Sequence, residues 1–153
     1  MNNDEMKHYL SISSAKTKAL GTALAKKILR SKKIKKNATV VALQGDLGAG
    51  KTTFVQGFMR GMGHRGRVMS PTFILFRRLA LRHKRFANVY HVDAYRVRNP
   101  KEFSALGFKE IVKDPANIIL VEWPERLGRM LPRHTIKISF EHGENMDERK
   151  ISH

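Results

Sequence analysis

Lys51 and Thr52 close the stretch Gly45-Asp46-Leu47-Gly48-Ala49-Gly50-Lys51-Thr52, which fits G-x-x-x-x-G-K-[ST] at every fixed position. These residue types suit a polyphosphate. Glycines at 45, 48 and 50 let the backbone curl so that successive N–H groups point inward at an anion, and a helix starting near Lys51 adds its positive dipole end. Lys51 can then reach the terminal phosphates, and the Thr52 hydroxyl can ligate a Mg²⁺ that bridges their oxygens. A chance glycine-rich turn would need no flanking context, whereas here a strand leads in and a helix leads out.

Turnover at such a loop also needs a carboxylate on the metal side and a group that positions the attacking water. Glu122 follows Ile118-Ile119-Leu120-Val121 at a strand end, the place of a Walker B carboxylate, with Glu where Asp is commoner. Asp93 ends another strand, Asn88-Val89-Tyr90-His91-Val92-Asp93, in which alternation sets Val89, His91 and Asp93 on one face. Ligands of open α/β sheets collect at the carboxyl ends of strands, so both acids are expected in the crevice that the loop borders. Solvated or helix-capping acids would occupy the same positions. His91 reads as a packed or hydrogen-bonded strand residue, since no second His lies at ligand spacing. Trp123 suits either stacking or core, and Ser70 and Thr72 either a nucleotide-sensing switch or a simple turn.

The positioning elements follow from pattern. Residues 7–12 read as a short strand, and Ser13 or Ser14 caps a helix to about Arg30 that packs through Ala15, Ala19, Ala23 or Leu24, and Ile28. Residues 31–37 form a basic loop before the buried strand 39–44. The helix after the loop carries Phe54, Val55, Phe58 and Met59 at helical spacing and stops near Gly61-Met62-Gly63. A strand over 73–76, a segment 77–85 that is either a hairpin or a flexible tip, and a short helix from Asn99 or Pro100 through Leu106 come next. The buried strand 117–121 precedes Glu122, and 135–141 with 148–152 form a hairpin around Gly143. Strands alternating with helices and then a strand-rich tail indicate an α/β P-loop NTPase fold: a single domain over 1–153, core about 7–152, with a central mixed β-sheet flanked by helices.

The 153 residues are one domain's worth, hold no cysteine, and contain no run near the ~20 apolar residues that cross a bilayer. Disulfides, thiolate metal sites and membrane spans are excluded, and a polar start without a signal-peptide core makes a cytoplasmic protein the expectation. Thirty Lys plus Arg against thirteen Asp plus Glu give a net charge of +17. The excess is concentrated in 26–27, 30–36, 60–67, 77–78 and 82–85, which favours RNA, DNA or an acidic protein as partner, or else leaves a merely solvated basic surface.

Taken together, the phosphate loop with Thr53-Phe54, Ser70-Pro71-Thr72-Phe73, His91-Val92-Asp93-Ala94-Tyr95-Arg96, Val121-Glu122-Trp123-Pro124-Glu125 and Leu131-Pro132 resemble the TsaE (YjeE) family. These are small bacterial ATPases of tRNA threonylcarbamoyladenosine synthesis, and the resemblance covers about residues 10–150 in order. It implies binding and slow hydrolysis of ATP with Mg²⁺, in concert with TsaD and TsaB, which modify adenosine 37 of tRNAs that read codons beginning with A. Residue by residue it implies that Gly45, Gly48, Ala49, Gly50, Lys51, Thr52 and Thr53 hold the nucleotide, that Thr52 and Glu122 hold Mg²⁺, and that Lys51, Asp93 and Glu122 serve hydrolysis. It further implies a switch-like loop at 70–72, a place for Trp123 beside nucleotide or partner, and a tail arginine, Arg149, near the nucleotide. Segments 77–78, 82–85 and 98–101 are basic where the family is usually acidic, so the partner-docking surface does not transfer directly.

Two other readings stay open. A small-molecule kinase would use the same loop with 77–85 as an arginine-bearing lid. An RNA-binding module with a vestigial nucleotide site would rest on the net charge, and tRNA contact through the basic surface is compatible with the ATPase reading as well. No N-K-x-D motif supports guanine recognition.

Overall fold

The computed structural model describes residues 7–69 and 75–153. The readings placed on Ser70, Pro71, Thr72 and the first residues of the 73–76 strand lie outside them.

The buried run that precedes the phosphate loop forms β2 (Thr39–Gly45), after β1 (His8–Ser11) and the long helix α1 (Ser14–Arg30). Helix α2 (Lys51–Gly61) leaves the loop, and β3 (Phe76–Ala80) and β4 (Asn88–Asp93) follow it. Two short helices, α3 (Lys101–Ala105) and α4 (Phe108–Lys113), lead to β5 (Asn117–Glu122), and the tail forms β6 (Ile136–His142) and β7 (Arg149–Ser152). The seven strands make one sheet in the order β1-β7-β6-β2-β5-β4-β3. Strands β6, β2, β5 and β4 run parallel at its centre, and antiparallel β3 and β7 flank them, so the sheet is mixed as expected.

The central strands are apolar on both faces because helices cover both. Val41, Leu43, Val89, Ile118 and Leu120 pack under α1 and α2. Val40, Tyr90, Val92, Ile119 and Val121 pack against Phe103, Phe108 and Leu127 on the other side. At ~25 cal/mol per Å² of apolar surface removed from water, these two layers are the main source of stability.

Helix α1 starts where Ser13 accepts a hydrogen bond from the Lys16 amide at 3.1 Å. Its buried stripe is Thr17, Gly21, Ala25 and Ile28, whereas Ala15, Ala19 and Ala23 are exposed. The expectation holds for Ile28, and for Leu24, which packs against the core, and is corrected for the alanines, since the buried face is rotated away from them. The reason lies in the partner helix: a Cβ on Gly21 would sit 2.3 Å from the Phe54 carbonyl, and one on Gly57 would sit 2.0 Å from that of Lys18. The backbones touch there, and Thr22 Oγ1 reinforces the contact by donating to Gly57 O at 2.8 Å. Counting apolar side chains misses a stripe half of whose members are a glycine and a threonine.

Two further findings concern the second half. Of the two alternatives for segment 77–85, the structure shows the hairpin: β3 takes its first residues and pairs antiparallel with β4, Leu79 facing Val89, and the rest belongs to the connection that Leu81 N closes onto Ala87 O at 2.8 Å. Helix α4 was not anticipated. Gly107, in the left-handed region at φ 77°, ends the expected helix and at once opens the next, a turn that glycine adopts without steric cost.

Candidate functional site

The loop between β2 and α2 folds as its glycines require. Gly48 and Gly50 take φ of 75° and 103°, and helix α2 begins at Lys51 with Gly50 at its N-cap. The first amides of a helix have no carbonyl one turn back to bond, so they point out of its N-terminus toward whatever the loop encloses. Gly45 has a different task. It pairs with Phe140 of β6, and a Cβ there would sit 2.5 Å from the Phe140 carbonyl. It lies behind the wall of the cavity, which Gly48, Ala49, Gly50, Lys51, Thr52 and Thr53 line directly.

That cavity, about 710 Å³, lies at the carboxyl ends of β2, β4 and β5, and Asp93, Tyr95, Glu122, Trp123 and Arg149 complete its walls. The register explains why the two acids meet: β4 and β5 are parallel neighbours with Asp93 opposite Glu122, and Glu122 is also opposite Leu43 of β2. In the first turn of α2, Thr52 donates through Oγ1 to Glu122 Oε1 at 3.2 Å. The other carboxylate oxygen, Oε2, lies 2.8 Å from His91 Nε2, and both side chains are 4% exposed. A buried carboxylate is tolerable only with partners of this kind. Asp93 Oδ1 accepts from the Tyr95 amide at 3.0 Å, which fixes its carboxylate at the cavity rim.

Lys51 is buried beneath the loop. Its ammonium donates to the Gly45 carbonyl and, at 3.0 Å, to that of Asp46, while the Trp123 ring centroid lies 4.1 Å away. Burial lowers the Lys51 pKa from its ordinary value, against the pull of the Glu122, Glu125, Asp46 and Asp93 charges. Trp123 itself stands at φ 59°, the one non-glycine residue in the left-handed region among the described residues, and its ring lies 4.9 Å from that of Tyr95. Its side chain packs against the second core layer and also lines the cavity, at a backbone conformation of the kind that clusters at binding sites. Arg149 reaches the loop from β7, its side chain 3.6 Å from where a Gly50 Cβ would be.

Hard oxygen donors on one wall and a tilted pair of aromatic rings on another suit a magnesium-bound nucleotide. Ligands adjacent on a magnesium octahedron stand about 2.9 Å apart at ordinary bond lengths, close to the spacing of the Thr52 and Glu122 oxygens. Sequence reasoning anticipated the loop, both acids and a hydrogen-bonded His91. It assigned no role to Tyr95 and did not foresee that Lys51 would rest against Trp123, because residues so far apart in sequence carry no local signal of contact. Among the described residues, none of 77–85 lines the cavity, so the kinase reading's lid has no support in this arrangement.

An α/β sheet with a phosphate loop between its central strand and the following helix, and acids at the ends of the neighbouring strands, defines a P-loop fold. Within that class the comparisons are specific. The family model for the threonylcarbamoyl adenosine biosynthesis protein TsaE matches residues 11–151, and the chain belongs to the TsaE family. Its relatives include the tRNA threonylcarbamoyladenosine biosynthesis proteins TsaE of Haemophilus influenzae, 37% identical over 69% of this chain and 64% of that one, and of Treponema pallidum, 42% identical over 66% and 71%. The crystal structure of YdiB from Bacillus subtilis superposes with a TM-score of 0.72 at 28% identity, covering 97% of this chain and 84% of that one.

Proposed function

We propose that this protein is an accessory ATPase of tRNA threonylcarbamoyladenosine formation, which binds ATP with Mg²⁺ and hydrolyses it slowly to reset a TsaB–TsaD complex between turnovers. The observation that carries the reading is the buried Glu122 carboxylate beside the Thr52 hydroxyl, at the mouth of a phosphate loop whose lysine faces the same cavity. Bound Mg²⁺ would neutralise the β- and γ-phosphate oxygens, with Thr52 and Glu122 as its protein ligands.

The chain's own residues do the rest. The amides of the loop and of the first turn of α2 hold the phosphates, and the Lys51 ammonium leaves its carbonyl partners to reach them. Both oxygens of Glu122 are already committed, one toward Thr52 and one to His91, so positioning the attacking water falls to Asp93 across the strand pair. Tyr95 and Trp123 supply an aromatic wall for a base or for the partner.

Phosphate release from ATP, measured with and without purified TsaB and TsaD and with Glu122→Ala in parallel, tests this. Stimulation by the partners that disappears in Glu122→Ala is the expected result. Hydrolysis that ignores the partners, or that survives the substitution, would overturn the assignment.

A further inference from the structure

Two basic segments distant in sequence, 30–36 and 82–85, meet at the end of the sheet opposite the cavity. The first leads into β2 and the second into β4, so both stand at the amino ends of parallel strands whose carboxyl ends carry the candidate site. Arg85 joins them: its Nη2 donates to the Lys33 carbonyl at 2.7 Å, and its guanidinium lies 5.1 Å from the Phe86 ring centroid.

This corner is electrostatically unfinished. Arg85 Nη1 is the one buried side-chain nitrogen among the described residues without a hydrogen-bond partner, where native proteins almost always supply one. Lys35, half-buried beside it, has its pKa lowered first by burial and then by the Lys33 and Arg85 charges. Among the described residues no carboxylate forms an ion pair with Lys33, Lys35 or Arg85, and Lys36, Arg82 and Lys84 neighbour them in sequence. Asp114 lies at the same end, with Oδ1 taken by the Ala116 amide at 2.9 Å. Cations crowded in this way gain most from an external anion.

We propose that this face binds the sugar–phosphate backbone of RNA, with Lys33 and Lys35 on the phosphates and the Arg85 charge fixed behind them. An acidic protein would be expected to find an apolar centre in its interface, whereas the one large apolar side chain exposed within 30–36 is Ile34. A phosphodiester chain needs only cations and donors. The family's chemistry concerns tRNA, and a contact at the far end of the sheet leaves the nucleotide cavity unobstructed. This assignment does not depend on ATP being hydrolysed.

Fluorescence anisotropy with a labelled tRNA transcript, titrated at several KCl concentrations between about 50 and 200 mM, tests it. The Lys33→Glu/Lys35→Glu variant should bind at least about tenfold more weakly, and its log–log salt slope should be shallower by about two, one for each phosphate left without its lysine. Lys26→Glu/Arg60→Glu, on the α1 and α2 face, serves as the comparison. Unchanged affinity and slope in the first variant, or a loss confined to the second, would overturn the proposal. An equal loss toward poly-L-glutamate would also overturn it, by revealing a general polyanion surface. The unfolding midpoint and ATP hydrolysis of each variant are read alongside. A wild-type protein that hydrolyses ATP but does not bind the transcript refutes this face alone, while absent hydrolysis in the wild type bears on the ATPase reading alone.

Discussion

His91 Nε2 lies 2.8 Å from Glu122 Oε2, a contact across two adjacent parallel strands that turns the other carboxylate oxygen toward Thr52. A carboxylate oxygen accepts, so Nε2 carries the proton in this pair. His91 is a positioning residue, held to its place by the register that sets it beside Leu120 and Asp93 beside Glu122.

Replacing His91 by Ala strands a buried carboxylate oxygen. The expected cost is about 2 kcal/mol of stability, with a Mg²⁺ requirement for nucleotide binding raised by about tenfold or more. Thermal unfolding and a Mg²⁺ titration check the two effects. A stability loss with unchanged Mg²⁺ dependence would leave His91 a purely structural residue.

Trp123 is the sole tryptophan, and the Lys51 ammonium rests 4.1 Å from its ring centroid. Under the proposed function Lys51 would leave this cation–π contact for a phosphate, so adding ATP with Mg²⁺ should change the intrinsic fluorescence. In Lys51→Met the change should vanish along with binding. An identical response in that variant would mean that the nucleotide does not recruit Lys51.

The close approach of α1 to α2 makes Gly57 irreplaceable. A Cβ there would lie 2.0 Å from backbone, so Gly57→Ala must push the helices apart, at an expected cost of about 2–3 kcal/mol. Gly63→Ala is the comparison. It meets nothing within 4 Å and carries only the penalty of its φ of 91°, about 1 kcal/mol. Chemical denaturation of the two should differ in midpoint in that order, and equal midpoints would contradict the packing described.

Glu148 organises the turn before β7 and thereby the approach of Arg149 to the loop. Its carboxylate accepts from the Asn145 side chain at 2.7 Å, from the Asn145 amide at 3.3 Å and from the Glu144 amide at 3.2 Å. The Asn145 side chain and backbone bonds are the main causes of a pKa below the ordinary 4.5. A depressed carboxyl pKa contributes stability that is present above the unfolded value and lost as pH falls through the folded one. Glu148→Gln should therefore be less stable than wild type at neutral pH, and the gap should close as the pH falls below 4.5. Unfolding midpoints measured across that range check the sign, and a gap constant with pH would refute it.

The sequence made some of this legible for a local reason. The phosphate loop, the apolar run before Glu122 and the alternation that ends on Asp93 are short-range patterns, and each residue sits where its pattern placed it. Contacts set by topology were not legible. The pairing of His91 with Glu122 needs the β4–β5 register, the Lys51 contact needs the backbone turn at Trp123, and the α1 face needs the glycines of a helix many residues away. Helix α4 was hidden because Gly107, which stops one helix, also starts the next.

Calorimetric titration of ATP, in Mg²⁺ and in excess chelator, tests most directly whether Thr52 and Glu122 form the metal side of a nucleotide site. Removing Mg²⁺ should weaken wild-type binding by about tenfold or more, and Glu122→Ala should bind weakly in both conditions with that difference largely abolished. Wild-type affinity that is the same with and without Mg²⁺, or a Glu122→Ala protein with the full metal dependence, would contradict it.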